Sequence, residues 1–342
     1  MPGKVKEFDV LTRKKLLITT SKLILLLFFI VLIAGGIGSY SFNIIEFWKG
    51  IFFHRTENWE ILFHIRLPRI MLALCVGGGL SLSGLCLQVL LKNPLAEPYT
   101  LGLSGGATLG ATIATLINFS TPLYSLSAHT FFALVGCMAV ISLLYLFMQN
   151  ITSHFSYQLL MFGIILNAVA SAIIMFLYSL FSSSQLYTAV YWMMGHIPIV
   201  SYTEIIIVAL FVVTGFILLY RESIAINALM LGEENAESLG IRSVHIKNKL
   251  FLISGIVTAI AVSFTGMIGF IGLIIPHMCR LIWGTDNRIT IVTSFLFGGI
   301  TVLLADTIAR IILSPKELPV GVITALIGGP YFIYLLKKQA AR

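Results

Sequence analysis

Residues 70–91 read IMLALCVGGGLSLSGLCLQVLL, a stretch without a charged side chain. At about 1.5 Å per residue, a helix of this length reaches roughly 33 Å, enough to cross the roughly 30 Å hydrocarbon core of a bilayer. Gly77-Gly78-Gly79, Ser81, Ser83 and Gly84 lie inside it. Small residues let helix backbones approach closely in lipid, so the stretch reads as a tightly packed transmembrane helix.

Comparable runs recur along the chain. Approximate limits are Lys22–Tyr40, Ile70–Leu91, Tyr99–Ile117, Ala128–Met148, Tyr157–Phe181, Tyr202–Tyr220, Ile246–Thr265, Phe270–Trp283, Ile291–Ile311 and Val320–Leu336. The eighth is short and reads as a broken or partly buried segment. Gly328-Gly329-Pro330 is expected to distort the last helix. Composition agrees with a membrane protein: 58% of residues are hydrophobic and 11% charged, against roughly 25% charged in soluble domains. The fold class expected is an all-α integral membrane protein of about ten transmembrane helices.

The net charge of +8 could suggest nucleic acid. The basic residues form no patch or aromatic-interleaved stripe, however, and sit between apolar runs, as topology requires. With the N-terminus inside, the inner segments hold most of the Lys and Arg. The outer side holds Lys49, Arg55, Arg66, Arg69, Arg310 and Lys316. That asymmetry places both termini in the cytoplasm. Lys4 to Lys22 followed by an apolar run resembles a signal peptide but lacks a convincing cleavage site, so it reads as an uncleaved first helix.

No composition shift marks a second domain. Residues 1–342 read as one membrane domain, with 1–21 a cytoplasmic N-terminal segment and 221–249 a polar cytoplasmic loop. Within that loop, Gly232 and Gly240 bracket a short helix in which Glu233, Glu234 and Glu237 share a face, and Gly240 suits a C-terminal cap. A tight turn would suffice to join two spans, so this helix reads as a docking element.

Motifs for chemistry inside the chain are missing. There is no G-x-x-x-x-G-K-[ST] phosphate loop, no H-E-x-x-H, no G-x-S-x-G and no C-x-x-C. Cys75, Cys86, Cys137 and Cys279 read as buried hydrophobes, and His277 as a packed or interfacial histidine. No catalytic residue, metal ligand or cofactor is expected. No acid or base stands in mid-span, apart from Asp306 near an end, which disfavours an ion-coupled carrier.

Several blocks then resemble a known family. Arg66-Leu67-Pro68-Arg69, Gly84-Leu85-Cys86-Leu87-Gln88, residues Asn93 to Pro98 and Leu101 to Ala107 resemble the first signature of the FecCD permeases, the membrane subunits of type II ABC importers for iron-siderophores, haem and vitamin B12. Trp192-Met193-Met194-Gly195, Leu231 to Gly240, Gly266 to Arg280, Ala305 to Arg310 and Glu317 to Gly321 resemble further family blocks in order.

The resemblance implies a permease subunit paired with a second copy or a homologous permease, two cytoplasmic ATPase subunits and an extracytoplasmic binding protein, in the inner membrane. It implies that Arg66, Arg69 and Arg310 dock the binding protein through salt bridges, with Asp306 holding Arg310. Leu231, Gly232, Glu233, Glu234, Glu237, Leu239 and Gly240 would couple to the ATPase, the acids meeting basic partner residues. Asn93, Leu95, Thr152 and Ser153 match a cytoplasmic gate. Read without the family, Asn-Pro and Thr-Ser are ordinary turn and loop chemistry. An iron chelate, haem or cobalamin is the implied cargo. An oxyanion such as molybdate, an ion-coupled secondary transporter and a non-transporting scaffold or sensor are the alternatives.

Overall fold

A computed structural model of the protein describes residues 12–37, 60–117, 127–149 and 155–340, and these are helical with short connections. The first helix, α1 (Arg13–Gly36), starts several residues before the expected span. The Thr12 hydroxyl accepts from the Lys15 amide and caps it, so the basic residues from Arg13 onward are already helical. A π-helical turn (Ile61–Arg66) runs without a break into α2 (Leu67–Leu90), with Pro68 at the junction.

α2 is buried on nearly every side and forms the axis of the bundle, as expected of a helix apolar all round. Its small residues set the packing distance. A Cβ on Gly77 would stand 2.3 Å from the Gly298 carbonyl oxygen, and one on Gly84 only 1.9 Å from that of Gly272. Helices cross here backbone to backbone, and dispersion between them replaces the hydrophobic driving force that lipid cannot supply.

Around this axis stand α3 (Leu103–Ile117), α4 (Ala128–Met148), α5 (Phe155–Tyr178), α6 (Ser183–Met193), α7 (Tyr202–Arg221), α8 (Ser223–Met230), α9 (Glu233–Ser238), α10 (Ser243–Thr265), α11 (Ile271–Trp283), α12 (Asn287–Ile311) and α13 (Val320–Ala340). Among the described residues, seven helices are long and apolar enough to cross a membrane, and three shorter apolar helices accompany them. Together they match the ten expected segments. The Gly328-Gly329-Pro330 run lies inside one continuous helix, α13.

α6 was not expected as a separate helix. Ser182 and Gln185 form a reciprocal capping box at its start.

The short eighth span is α11, whose 13 residues reach about 20 Å. Non-helical backbone between α10 and α11 runs from Gly266 (φ +67°) to Phe270 (φ +69°). Its polar groups are met by protein, as the interior of a bilayer demands. The Tyr99 hydroxyl accepts from the Ile268 amide and donates to the Ile268 carbonyl, both at 2.8 Å. The Glu97 carboxylate accepts from the Phe270 amide at 3.3 Å.

Candidate functional site

At the end that the basic residues assign to the cytoplasm, α8 and α9 form a platform beneath the spans. α9 opens at Gly232 (φ +120°) and closes at Gly240 (φ +79°). The Ile241 amide donates to the Ala236 carbonyl and the Gly240 amide to that of Glu237, a Schellman closure with glycine in the left-handed position. Ala236 is buried, whereas Leu231 (71%) and Leu239 (67%) are among the more exposed apolar residues of the chain.

The platform is fixed to the bundle by polar contacts. Lys249 pairs with Glu222. The Asn227 side chain donates to Asp286 and accepts from the Asn287 backbone and side-chain amides, tying α8 to the start of α12. Burial works against ionisation of Asp286, but hydrogen bonds from Arg288 and Asn227 hold its carboxyl below the usual range.

The acidic triplet is divided. The Glu233 carboxylate takes Lys92 at 3.1 Å on one oxygen and Lys247 on the other. Burial raises its pKa, yet the hydrogen bonds from Lys247 and Lys92 outweigh that and hold it below the usual carboxylate range. Glu237 accepts from the Ser243 hydroxyl at 2.7 Å. Two of the three acids expected to meet a basic partner surface, Glu233 and Glu237, thus also have partners within the chain, while Glu234, Glu237, Leu231 and Leu239 are exposed.

Asn93 and Leu95 lie immediately beside Lys92. The Asn93 side-chain oxygen accepts from the Leu95 amide at 2.9 Å, an Asx turn that spends this oxygen locally. Thr152 and Ser153 lie outside the described residues.

At the opposite end, the three arginines are inside the protein: Arg66, Arg69 and Arg310 are 6%, 8% and 7% exposed. Arg69 pairs with Asp306 (2.8 Å) and Glu317 (2.8 Å), and Arg310 with Asp306 (3.1 Å) at the expected four-residue spacing. The Arg66 guanidinium donates to the Gly35 carbonyl and that of Arg310 to the Ile37 carbonyl. These are carbonyls at the C-terminal end of α1, where cationic side chains are favoured. The arginines expected to dock the binding protein are embedded in contacts that join α1, α2, α12 and the turn before α13. The reason is Asp306, only 1% exposed, which requires cations around it.

Two pairings between the signature blocks were not foreseen from the sequence. Gln88 donates to the Gly272 and Leu273 carbonyls and accepts from Arg280 at 2.5 Å, pinning α11 to α2 where Gly84 meets Gly272. The Glu97–Tyr99 clasp holds the break before α11. In the connection between α2 and α3, burial pushes the Glu97 carboxyl up to about 7, and the hydrogen bond from Phe270 works against that rise.

This arrangement of ten apolar helices among the described residues, a short eighth and a helical platform can be compared with known proteins. The model of the FecCD transport family matches residues 24–338. The chain belongs to the FecCD transport family. Curated FecCD relatives include the hemin transport system permease HmuU of Yersinia pestis, 36% identical over 82% of this chain and 84% of that one. The molybdate import system permease MolB of Haemophilus influenzae is 34% identical over 90% and 92% of the two chains. The vitamin B12 import system permease BtuC of Salmonella newport is 38% identical over 82% and 84%. A solved metal-chelate type ABC transporter in an inward-facing conformation superposes with a TM-score of 0.81 at 31% identity, covering 94% of this chain and 99% of that one. The protein is accordingly a multi-pass inner-membrane permease of the ABC importer class, and the FecCD fold is a permease rather than an enzyme.

Proposed function

We propose that this chain translocates a metal chelate, of the iron-chelate, haem or cobalamin kind, from an extracytoplasmic binding protein into the cytoplasm, driven by ATP hydrolysed in a separate subunit docked on α9. The observation that carries the reading is α9 itself. It is a capped helix fixed to the bundle by Glu233 and Glu237, with Leu231 and Leu239 turned outward at its two ends. Two exposed leucines flanking a polar helix suit insertion into a groove, where apolar anchors supply the binding energy and Glu234 the orientation.

Movement of the docked platform would carry α10 and α12 with it, shifting the bundle between its two openings. Asn93 and Leu95 lie on the loop that such a movement reaches, which supports their place at a cytoplasmic gate. Thr152 and Ser153 are proposed for the same gate from the family match alone.

On the outer face, Arg66, Arg69 and Arg310 act by holding the ends of α1, α2 and α12 in place. The binding protein then meets the half-exposed Glu317 and its exposed neighbour Lys316. α5 presents Ile165, Val169, Ile173 and Phe176 outward at near-helical spacing, and a second copy of the chain or a homologous permease would cover part of that face.

Relatives named for hemin and vitamin B12, and the metal-chelate transporter structure, favour a chelate cargo. The molybdate relative, which spans more of both chains, keeps an oxyanion as the second reading. Uptake into proteoliposomes holding the permease and its ATPase and supplied with the binding protein, with radiolabelled ferric chelate, haem, cobalamin and molybdate compared in parallel, separates them. Accumulation of molybdate alone would replace the first reading by the second.

A further inference from the structure

α2 ends in a closure that ordinarily takes glycine. The Asn93 amide donates to the Gln88 carbonyl at 3.1 Å and the Lys92 amide to that of Val89 at 3.2 Å. This Schellman pattern places Lys92 in the left-handed region, at φ +48°. Gly240 fills the same position at the end of α9, and a glycine there has no Cβ to oppose the conformation. A lysine held against its backbone preference points to a use for its side chain.

That side chain reaches Glu233, the first residue of α9. The other carboxylate oxygen of Glu233 takes Lys247 of α10, only 10% exposed, whose ammonium also lies 4.8 Å from the ring centre of Phe155, the first residue of α5. One carboxylate therefore joins α9, the loop holding Asn93 and Leu95, and the inner ends of α10 and α5. Other polar ties of the platform, Glu237 to Ser243, Glu222 to Lys249 and Asn227 to Asp286 and Asn287, lead to α10 and to the start of α12 rather than to this loop.

We infer that Glu233 is a positioning residue that passes displacement of α9 to the loop at residues 92–95, with Lys92 as the receiving arm and Lys247 as the anchor. Two ammonium groups share a single carboxylate. Neutralising it leaves them repelling one another, so the loop separates from the helix while α9 keeps its own caps. A packing role would survive replacement of Glu233 by its neutral isostere, and a charge link would not. The inference rests on α9 being the ATPase docking element.

The test uses the full chain carrying Leu95→Cys, in lipid nanodiscs with its ATPase bound. Leu95 is 36% exposed and the four native cysteines are buried or half-buried, so a membrane-impermeant maleimide reads position 95. The labelling rate is compared with and without ATP plus vanadate, in the unaltered chain and with Glu233→Gln or Lys92→Gly added. Retention of the ATPase is scored in every sample.

The expected result is a nucleotide-dependent rate in the unaltered chain and loss of that dependence in both variants, with the ATPase still bound. The pair together should lose no more than either alone. Lys92→Gly relieves the left-handed lysine, so it should melt no lower than the parent, which separates uncoupling from misfolding. Full nucleotide dependence in both variants overturns the inference. So does release of the ATPase by both, which would make these residues docking contacts. Failure of the unaltered chain to hold an ATPase refutes the docking reading instead.

Discussion

Asp306 holds Arg69 in a forked contact, with the guanidinium Nε at 3.0 and 3.2 Å from the two carboxylate oxygens and Nη2 at 2.8 Å from the first. The same carboxylate takes Arg310 from its own helix. With Glu317 included, the two cations Arg69 and Arg310 are matched by two anions. Removing one member of such a group leaves uncompensated charge where water cannot reach it. Asp306→Ala is therefore expected to destabilise the protein by about 3–5 kcal/mol. Thermal unfolding in detergent, followed by fluorescence, checks this. A melting temperature unchanged from the parent would show that the network carries no structural load.

The contact between α2 and α11 makes a second prediction. Gly84→Ala places a methyl 1.9 Å from the Gly272 carbonyl oxygen, which is backbone and has no rotamer to yield. Overpacking costs of this type run about 1–3 kcal/mol or more, and the helices must part. Gly240→Ala meets open space, and only its left-handed φ opposes it, a cost of about 1 kcal/mol. Melting of the two variants side by side should show the larger loss at Gly84. The reverse order would mean that α2 and α11 are not in close contact.

Glu97 gives the chain a pH dependence of defined sign. Its carboxyl is pushed up to about 7 by burial, above its value in an unfolded chain. The folded state thus binds the proton more tightly. The associated stability is complete below the unfolded carboxylate range and declines as pH rises through about 7. Glu97→Gln keeps an acceptor for the Phe270 amide but cannot ionise. The difference in melting temperature between parent and Glu97→Gln should therefore change between pH 5 and pH 8, with the variant relatively more stable at the alkaline end. A pH-independent difference would contradict the buried-carboxyl account.

The exposed leucines of α9 test function without touching the fold. Leu231→Ser with Leu239→Ser should leave melting unchanged, because neither side chain is buried. Binding of the ATPase, measured by co-purification, should be lost or much reduced. A double variant that retains the ATPase at the parent level would remove the docking surface proposed for α9.

Residues 70–91 and their counterparts announced the helices because a bilayer selects for apolar length, which a sequence displays directly. The caps of α9 were legible for a similar reason: Gly232 and Gly240 are local signals that require no knowledge of the rest of the fold. The boundary of α1 and the separate helix α6 were also local, carried by Thr12 and by the Ser182–Gln185 capping box, but the apolar runs beside them hid these signals.

What a linear reading could not supply were pairings across the bundle. Arg69 and Asp306 are separated by most of the chain, so the burial of the three outer arginines was not legible. Lys92, one partner of Glu233, and Phe270, the partner of Glu97, are also far away in sequence. Spacing shows which acids share a helix face. It does not show which of them the fold will neutralise.

The most direct test of the account is cargo uptake by the purified permease reconstituted with its ATPase and loaded binding protein. ATP inside the vesicle-equivalent of the cytoplasm should drive accumulation of the metal chelate, with no accumulation when ATP is replaced by a non-hydrolysable analogue. Equal uptake without ATP, driven by an imposed proton or sodium gradient, would contradict it.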